Sequence, residues 1–392
     1  MSGGDRQACI VGIGETDYAR WGGIDDRSEF HLACQAVTRA VADAGLDVAA
    51  IDGFASFSND ANEAARLQVA LGIPRLRHAS MVWGGGGGGS CGAVAQAVQA
   101  VESGHADCVV AFRSLCQGQS RRFGQFSAGR VHGSFTAPFG LHAPAAMTAP
   151  MVRRHMHEFG TTNEQLGRVA LACRDNANRN PRAIMHDRTL TMEDYLASRM
   201  IADPFRLFDC CLESDGACAV VVTTRERARD LPGGGVRILS AVHGSGAGWG
   251  SGALGAHNMP DATYATVNAS TLAPELFGRA GVEPGDIDIA QIYDNFTGLV
   301  IMALEDYGFV ARGEGGPFVE SGAIDWPGGS LPLNTAGGNL SEAYVHGLNH
   351  VVEAVRQLRG TSTSQIADAE LCFVCGGLGV APTSALILAR GL

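Results

Sequence analysis

Residues 78–102 read HASMVWGGGGGGSCGAVAQAVQAVE. The opening, 78–83, is strand-like. Six glycines follow at 84–89, and from Ser90 the chain turns alanine- and valine-rich on nearly every face. A helix without a polar face has to be buried on all sides, so this stretch predicts a helix enclosed between other layers. The same pattern extends outward. Residues 8–13 (ACIVGI) form a continuous apolar run, the mark of a buried strand in a mostly parallel sheet. Ser28 caps a predicted helix over 29–44 that stops at Gly45. Residues 51–57 make a strand, 61–71 a helix ending at Gly72, and 107–112 (DCVVAF) resume the sheet.

Between about 114 and 214 the periodicity loosens; the stretch is rich in arginine, histidine and methionine, and its helical pieces look short. An inserted loop or cap domain is expected there. Residues 215–224 (DGACAVVVTT) return to a strand, 225–231 to a short helix, and 232–235 (PGGG) to a turn of the kind that joins halves. The second half repeats the outline: strand 236–242, glycine-rich loop 244–255, helix 262–280 stopped by Gly281, strand 287–292 and helix 296–307. A glycine-rich turn then leads to a helix over about 341–359 and closing strands 369–375 and 383–389. Alternating strands and helices predict α/β layers, and the similar halves predict a duplicated unit.

Of 392 residues, 46% are hydrophobic, enough for a substantial core, and the charges sum to 29 − 40 = −11. That balance, with no long basic run, excludes a nucleic-acid footprint. The longest uncharged stretch, 78–101, contains the glycine run and does not read as a membrane span. A polar start without a secretory signal, and eleven cysteines lacking paired metal spacings, lead us to expect a soluble, cytoplasmic protein with no membrane partner.

Candidate chemistry clusters in four places. The glycine run cradles a phosphate, packs against other backbone, or leaves room for a substrate at the start of a buried helix. No Gly-Lys-Ser/Thr follows it to support the first option. Cys91, in the first helical turn, is either a nucleophile with a lowered pKa or a small buried hydrophobe. Residues 291–297 (QIYDNFT) deliver Tyr293, Asp294 and Asn295 at a strand's carboxyl end, where α/β sheets bind ligands, although Asp294 or Asn295 also suits a helix cap. Residues 334–346 (NTAGGNLSEAYVH) put a glycine pair before a predicted helix carrying Tyr344 and His346. His346 and His350 have metal-like spacing but no evident third ligand, so no metal site is expected. Cys372 and Cys375 lie along a predicted strand, an unlikely setting for redox or zinc chemistry. His132, His142 and Asn176 in the insert are open candidates.

Three passages carry a resemblance that spans nearly the whole chain: residues 8–18 (ACIVGIGETDY), 213–222 (ESDGACAVVV) and 337–347 (GGNLSEAYVHG). In this order they resemble the thiolase superfamily, in its branch of lipid-transfer proteins and sterol-carrier-type thiolases. The resemblance implies two similar βαβαβαββ halves packed as α-β-α-β-α layers with an inserted loop domain. Residues 1–234 would form one half, including the insert at about 114–214, and residues 235–392 the other.

Departures from the family pattern decide the implied function. The nucleophilic cysteine's place falls on or near Gly87. The Gly-His-Pro histidine falls at Tyr344 with no proline after it, the other active-site histidine at Tyr293, and the last cysteine at or beside Phe373. What remains resembles the retro-aldolases of steroid side-chain breakdown, which cleave a β-hydroxyacyl-CoA without an acyl-enzyme. The resemblance therefore implies Tyr344 and Tyr293 as acid and base, one of them with a depressed pKa. Asp294, Asn295, His346, Gly337, Gly338, Gly87, Gly376 and Gly377 would orient groups or stabilise an oxyanion. CoA would enter as part of the substrate, with no tightly bound cofactor. A homodimer and a small OB-fold/zinc-ribbon partner, holding the only zinc, are likewise implied. The alternatives are a thiolase using a displaced Cys91 and a non-catalytic acyl-CoA- or lipid-binding subunit.

Overall fold

A computed structural model of the chain describes residues 6–58, 60–83, 86–119, 137–249 and 264–392. Its strands are β1 (Ala8–Glu15), β2 (Ala19–Arg20), β3 (Gly53–Phe57), β4 (His78–Val82), β5 (Cys108–Leu115), β6 (Met200–Ala202), β7 (Phe205–Arg206), β8 (Ser214–Thr224), β9 (Val236–Gly244), β10 (Ile289–Ile292), β11 (Leu371–Gly376) and β12 (Thr383–Ala389). Nine of them run β4-β3-β5-β8-β1-β9-β12-β11-β10, with β2 beside β8 and β6–β7 a separate hairpin. Each half lays its strands in the same spatial order, third, second, fourth, fifth, first. In the second half the third strand shrinks to a parallel bridge between Leu333 and Ala290. The halves join where β1 pairs with β9 through Cys9–Arg237 and Ile10–Val236.

The glycine-led helix Ser90–Glu102 lies where its composition demands. Val94, Ala97 and Val101 share one core with Val351, Val352 and Val355 of the helix Leu348–Arg359 and with strands of both halves, among them Val109, Val220, Val374 and Leu386. The helix Glu29–Asp43 covers the far face of the first half, and Ala273–Ala280 lies on the far face of the second. The layers are α-β-α-β-α. Buried on both sides, β5 and β8 have no exposed position, which explains their unbroken apolar runs.

Three expectations are corrected. The insert is not made of short helical pieces: Pro144–Phe159 and Asn163–Arg179 are long helices packed on the second half's outer face, the latter opened by a Thr162/Gln165 capping box. The helix placed at 262–280 begins only at Ala273, with Pro274 in its first turn; residues 250–263 lie outside the described set. The helix placed at 341–359 is two pieces, Gly338–Ser341 and Leu348–Arg359. Between them His346 (φ +49°) and Gly347 (φ +83°) occupy left-handed conformations that a helix cannot contain.

Candidate active site

Tyr293 follows the last residue of β10 and stands 2% exposed. The strand end that delivers it is fixed on one side by β11, where Ile292 pairs with Cys375, and on the other by Asn334. The Asn334 Oδ1 accepts the Ile292 N–H at 2.8 Å, and its Nδ2 donates to the Ile292 carbonyl at 2.9 Å. A side chain thus completes the sheet edge where the third strand gives out. Tyr344 comes from the loop between the two helical pieces; its N–H donates to Ser214 Oγ at 3.0 Å. The two tyrosine hydroxyls are 2.9 Å apart, with ring centroids 6.3 Å apart and planes at 59°.

Gly87 explains how Tyr293 fits. A Cβ there would lie 2.1 Å from Cε2 and Cζ of Tyr293 and 2.3 Å from its hydroxyl oxygen. The idea that glycine leaves room for substrate at this point is corrected: the phenol ring fills that room. The neighbouring backbone is equally tight, since Gly377 sits against Gly88, and Ser90 and Ser384 donate to the carbonyls of Gly87 and Gly88. Close packing is therefore the reason for glycine at 87–89, whereas Gly86 has open space around it and a left-handed conformation (φ +51°).

Both phenols are pushed upward, not downward. For Tyr293 burial comes first, followed by the facing Tyr344 and Cys211. For Tyr344 burial and Cys211 raise the value, while the Tyr293 hydroxyl and the Arg113 guanidinium pull it back. The expectation of a depressed tyrosine is thus corrected, and both phenols are neutral. Cys211, whose N–H donates to the Asn295 carbonyl at 3.0 Å, had no motif to announce it. Its segment is anchored by Asp209, a buried carboxylate that accepts from Tyr195 and Thr297 hydroxyls and the Arg206 N–H.

Asp294 is wholly buried and faces inward. It accepts from the N–H groups of Asn339 (2.7 Å) and Leu340 (3.1 Å) and from His350 Nε2 (3.1 Å). It ties the Gly337–Gly338 turn to the helix Leu348–Arg359. Asn295 is half-buried, and its Oδ1 has no partner among the described residues. His346 takes Arg113 Nε–H on Nδ1 at 3.2 Å and stands edge-on to Tyr344 at 5.0 Å. Burial and then the Arg113 charge hold it well below the usual imidazole range, hence neutral.

The other candidates fall elsewhere. Cys91 is fully buried, its Sγ near the Val374 carbonyl, and burial pushes its thiol up to about 12 despite the helix start. Cys372 and Cys375 belong to opposite cores, and burial pushes both well up. Asn176 donates to the carbonyls of Leu333 and Asn334, supporting the vestigial strand. His142 is exposed, and His132 lies outside the described residues. Among the described residues no three His, Cys, Asp or Glu side chains gather as a metal site, and no helix is long and apolar enough to cross a membrane.

Glu342, two residues before Tyr344, carries a pH-dependent strain. It is 1% exposed and accepts from Asn180 and Asn349 side-chain amides, each at 3.1 Å. Burial and then the facing Glu15 carboxylate push it up to about 8 against the pull of Arg356. A raised folded-state value means the group's contribution is intact below about pH 4.5 and lost as pH climbs to about 8. Glu342→Gln should remove that slope, because the unpartnered Asn349 Oδ1 can turn to accept the new amide. Its melting temperature should decline less from about pH 5 to about pH 8 than that of the wild type, the remaining decline coming from groups such as buried Asp306, raised to about 6; parallel declines would refute the assignment.

The family model described as thiolase C-terminal domain-like matches residues 250–390. A steroid side-chain-cleaving aldolase of Thermomonospora curvata is 43% identical over 393 residues, 97% of each chain. A 17-hydroxy-3-oxo-4-pregnene-20-carboxyl-CoA lyase of Mycobacterium tuberculosis is 42% identical, over 97% of this chain and 99% of its own. The solved Ltp2-ChsH2(DUF35) aldolase superposes with a TM-score of 0.92 at 41% identity, over 99% of both chains. Fold and site define a thiolase-superfamily architecture in which the Tyr293 ring lies over Gly87. Within it, the chain belongs to the family of the steroid side-chain-cleaving aldolases, and it is a carbon–carbon lyase.

Proposed function

We propose that the protein splits a β-hydroxyacyl-CoA by a retro-aldol reaction, the acyl group being a steroid side chain. The products are a ketone (or aldehyde) and a short acyl-CoA such as propionyl-CoA. The observation that carries this reading is the 2.9 Å hydrogen bond between Tyr293 and Tyr344 beside a nucleophile position that is glycine. Two neutral phenols in contact form a proton relay. In one concerted movement, one hydroxyl takes the carbinol proton and passes its own to the second, whose proton goes to the α-carbon. The C–C bond breaks, its bonding pair develops as the thioester enolate and ends in the new C–H bond, and each phenol finishes with one proton. No resting phenolate is needed, which agrees with the upward displacement of both groups.

Backbone N–H groups of Gly87, Gly338, Gly376 and Gly377 are the proposed enolate donors, with Asp294, Asn295 and His346 orienting the site; the Gly337 N–H is taken by the Asn334 carbonyl at 2.8 Å. CoA enters as part of the substrate, and the chemistry calls for no resident cofactor. A small OB-fold/zinc-ribbon partner is supported by the DUF35 component of the aldolase structure compared above. A homodimer is supported by β4, an edge strand with Met81 and Trp83 exposed on and beside it. A reducing cytoplasm suits eleven free cysteines. The halves meet at 234/235, and the insert at 114–214 selects the acyl group.

Mass spectrometry of products from a panel of steroid β-hydroxyacyl-CoA thioesters tests this reading. Cleavage should proceed without added CoA. Turnover that requires free CoA and leaves a thioester on Cys91 would replace it with a thiolase. Binding without turnover, even with the zinc-ribbon partner present, would replace it with a carrier.

A further inference from the structure

Strand β5 is buried along its whole length, yet it holds Arg113. A buried guanidinium persists only when paired. The Arg113 Nη1 donates to Asp60 Oδ2 at 2.7 Å, with the Arg113 and Asp60 side chains 3% and 0% exposed, and the Phe57 ring lies 5.7 Å from the cation. Charge neutralisation alone needs nothing more. The Nε–H nevertheless reaches across to the opposite half and donates to His346 Nδ1 at 3.2 Å. His346 sits in a left-handed conformation, and its ring packs edge-on to Tyr344. One guanidinium therefore fixes the loop that presents one of the two phenols.

The surroundings of the phenols differ in a way that matters. Tyr344 is faced by Tyr293 from the end of β10, by Cys211 and Glu213 from the insert, by Arg113 from β5, and by His346 on its own loop. Tyr293 is faced by Tyr344, Cys211 and Asp294. The cation is tied through His346 to the loop of Tyr344 and pulls that phenol down, whereas the leading influences on Tyr293 all push it up. We propose that Arg113 is a positioning residue which, through His346 and its own charge, makes Tyr344 rather than Tyr293 carry negative charge while the proton is in transit. This rests on the aldolase reading and settles the roles within the pair.

The test follows α-proton exchange of propionyl-CoA in D2O by mass spectrometry, with the small partner protein present, across a range of pH. Exchange uses the same relay but needs no steroid. Arg113→Met combined with Asp60→Asn removes the ion pair as a unit; the half-buried Glu29 carboxylate loses the cation's pull but keeps its bonds from Asn62 and the Cys116 N–H. Its alkaline limb, the rise in rate as Tyr344 loses its proton, should move up by about one pH unit, lowering the rate near pH 8 about tenfold, with KM within about twofold. Arg113→Lys keeps the charge and should keep the limb in place at a reduced rate. His346→Gln, which retains an acceptor for Nε–H, should behave likewise. A merely structural arginine would depress the profile evenly. An unmoved limb in the double variant, or a lysine variant no better than the double variant, overturns the proposal. If the wild type exchanges no α-proton at all, the aldolase reading falls first and takes this inference with it.

Discussion

Tyr344→Phe and Tyr293→Phe are each expected to lower kcat for C–C cleavage about 10²–10⁴-fold, the range spanned by a positioned proton-transfer group. KM should change little, because the hydroxyl removed lies in the relay and the ring remains. Phenylalanine keeps the ring beside Gly87, so the packing that seats Tyr293 is preserved. Each single variant strands the other hydroxyl, a loss of about 1–3 kcal/mol where the group stays buried. The double variant strands neither, so it should melt no lower than the poorer single. It should also be no slower than the poorer single, since groups that act as one unit are not additive. Product formation by mass spectrometry together with melting temperature checks all three proteins. Near-wild-type rates in both singles would remove the relay.

Much of the fold was legible because it rests on local rules. The helix Ser90–Glu102 and the strand Thr383–Ala389 stand where the apolar runs put them, and Gly45, Gly72 and Gly281 end their helices. The loop presenting Tyr344 was not legible. Within 341–359 only Gly347 hints at a break, and the interruption is fixed by His346 in a left-handed conformation held by an arginine distant in sequence, with Ser214 accepting the Tyr344 N–H. Periodicity cannot see such a tether. Arg113 itself carried a signal, a lone charge at the end of CVVAFRSL, but reading the strand as finished at Phe112 discarded it. Cys211 had no signal, because its closeness to both phenols depends on Asp209 gripping Thr297 from a different element. Both tyrosines stood out in their local sequence and the resemblance supplied their acid and base roles, but their raised pKa values follow from burial that no sequence pattern displays.

Gly87→Cys, which restores the superfamily's nucleophile on paper, is expected to destroy the aldolase without creating a thiolase. The new Cβ would meet Tyr293 ring carbons at 2.1 Å, far inside contact distance. The backbone has nowhere to retreat. A Cβ built on Gly88 would already lie 2.0 Å from the Pro382 carbonyl oxygen, and the carbonyls of Gly87 and Gly88 are held by Ser90 and Ser384. Tyr293 must therefore swing away and lose its 2.9 Å bond to Tyr344. Cleavage should fall at least as far as in Tyr293→Phe, with about 1–3 kcal/mol lost to overpacking. Adding Tyr293→Ala should recover stability but not activity, which separates the clash from the chemistry. Thiolysis should stay absent in both proteins, because a buried thiol needs a base to become a thiolate and neither protein has a histidine at residue 293 or 344. Intact-protein mass spectrometry with acyl-CoA and free CoA reads the outcome. An acyl adduct on residue 87, or retro-aldol turnover near the wild-type rate, would mean that Tyr293 does not need the space above Gly87.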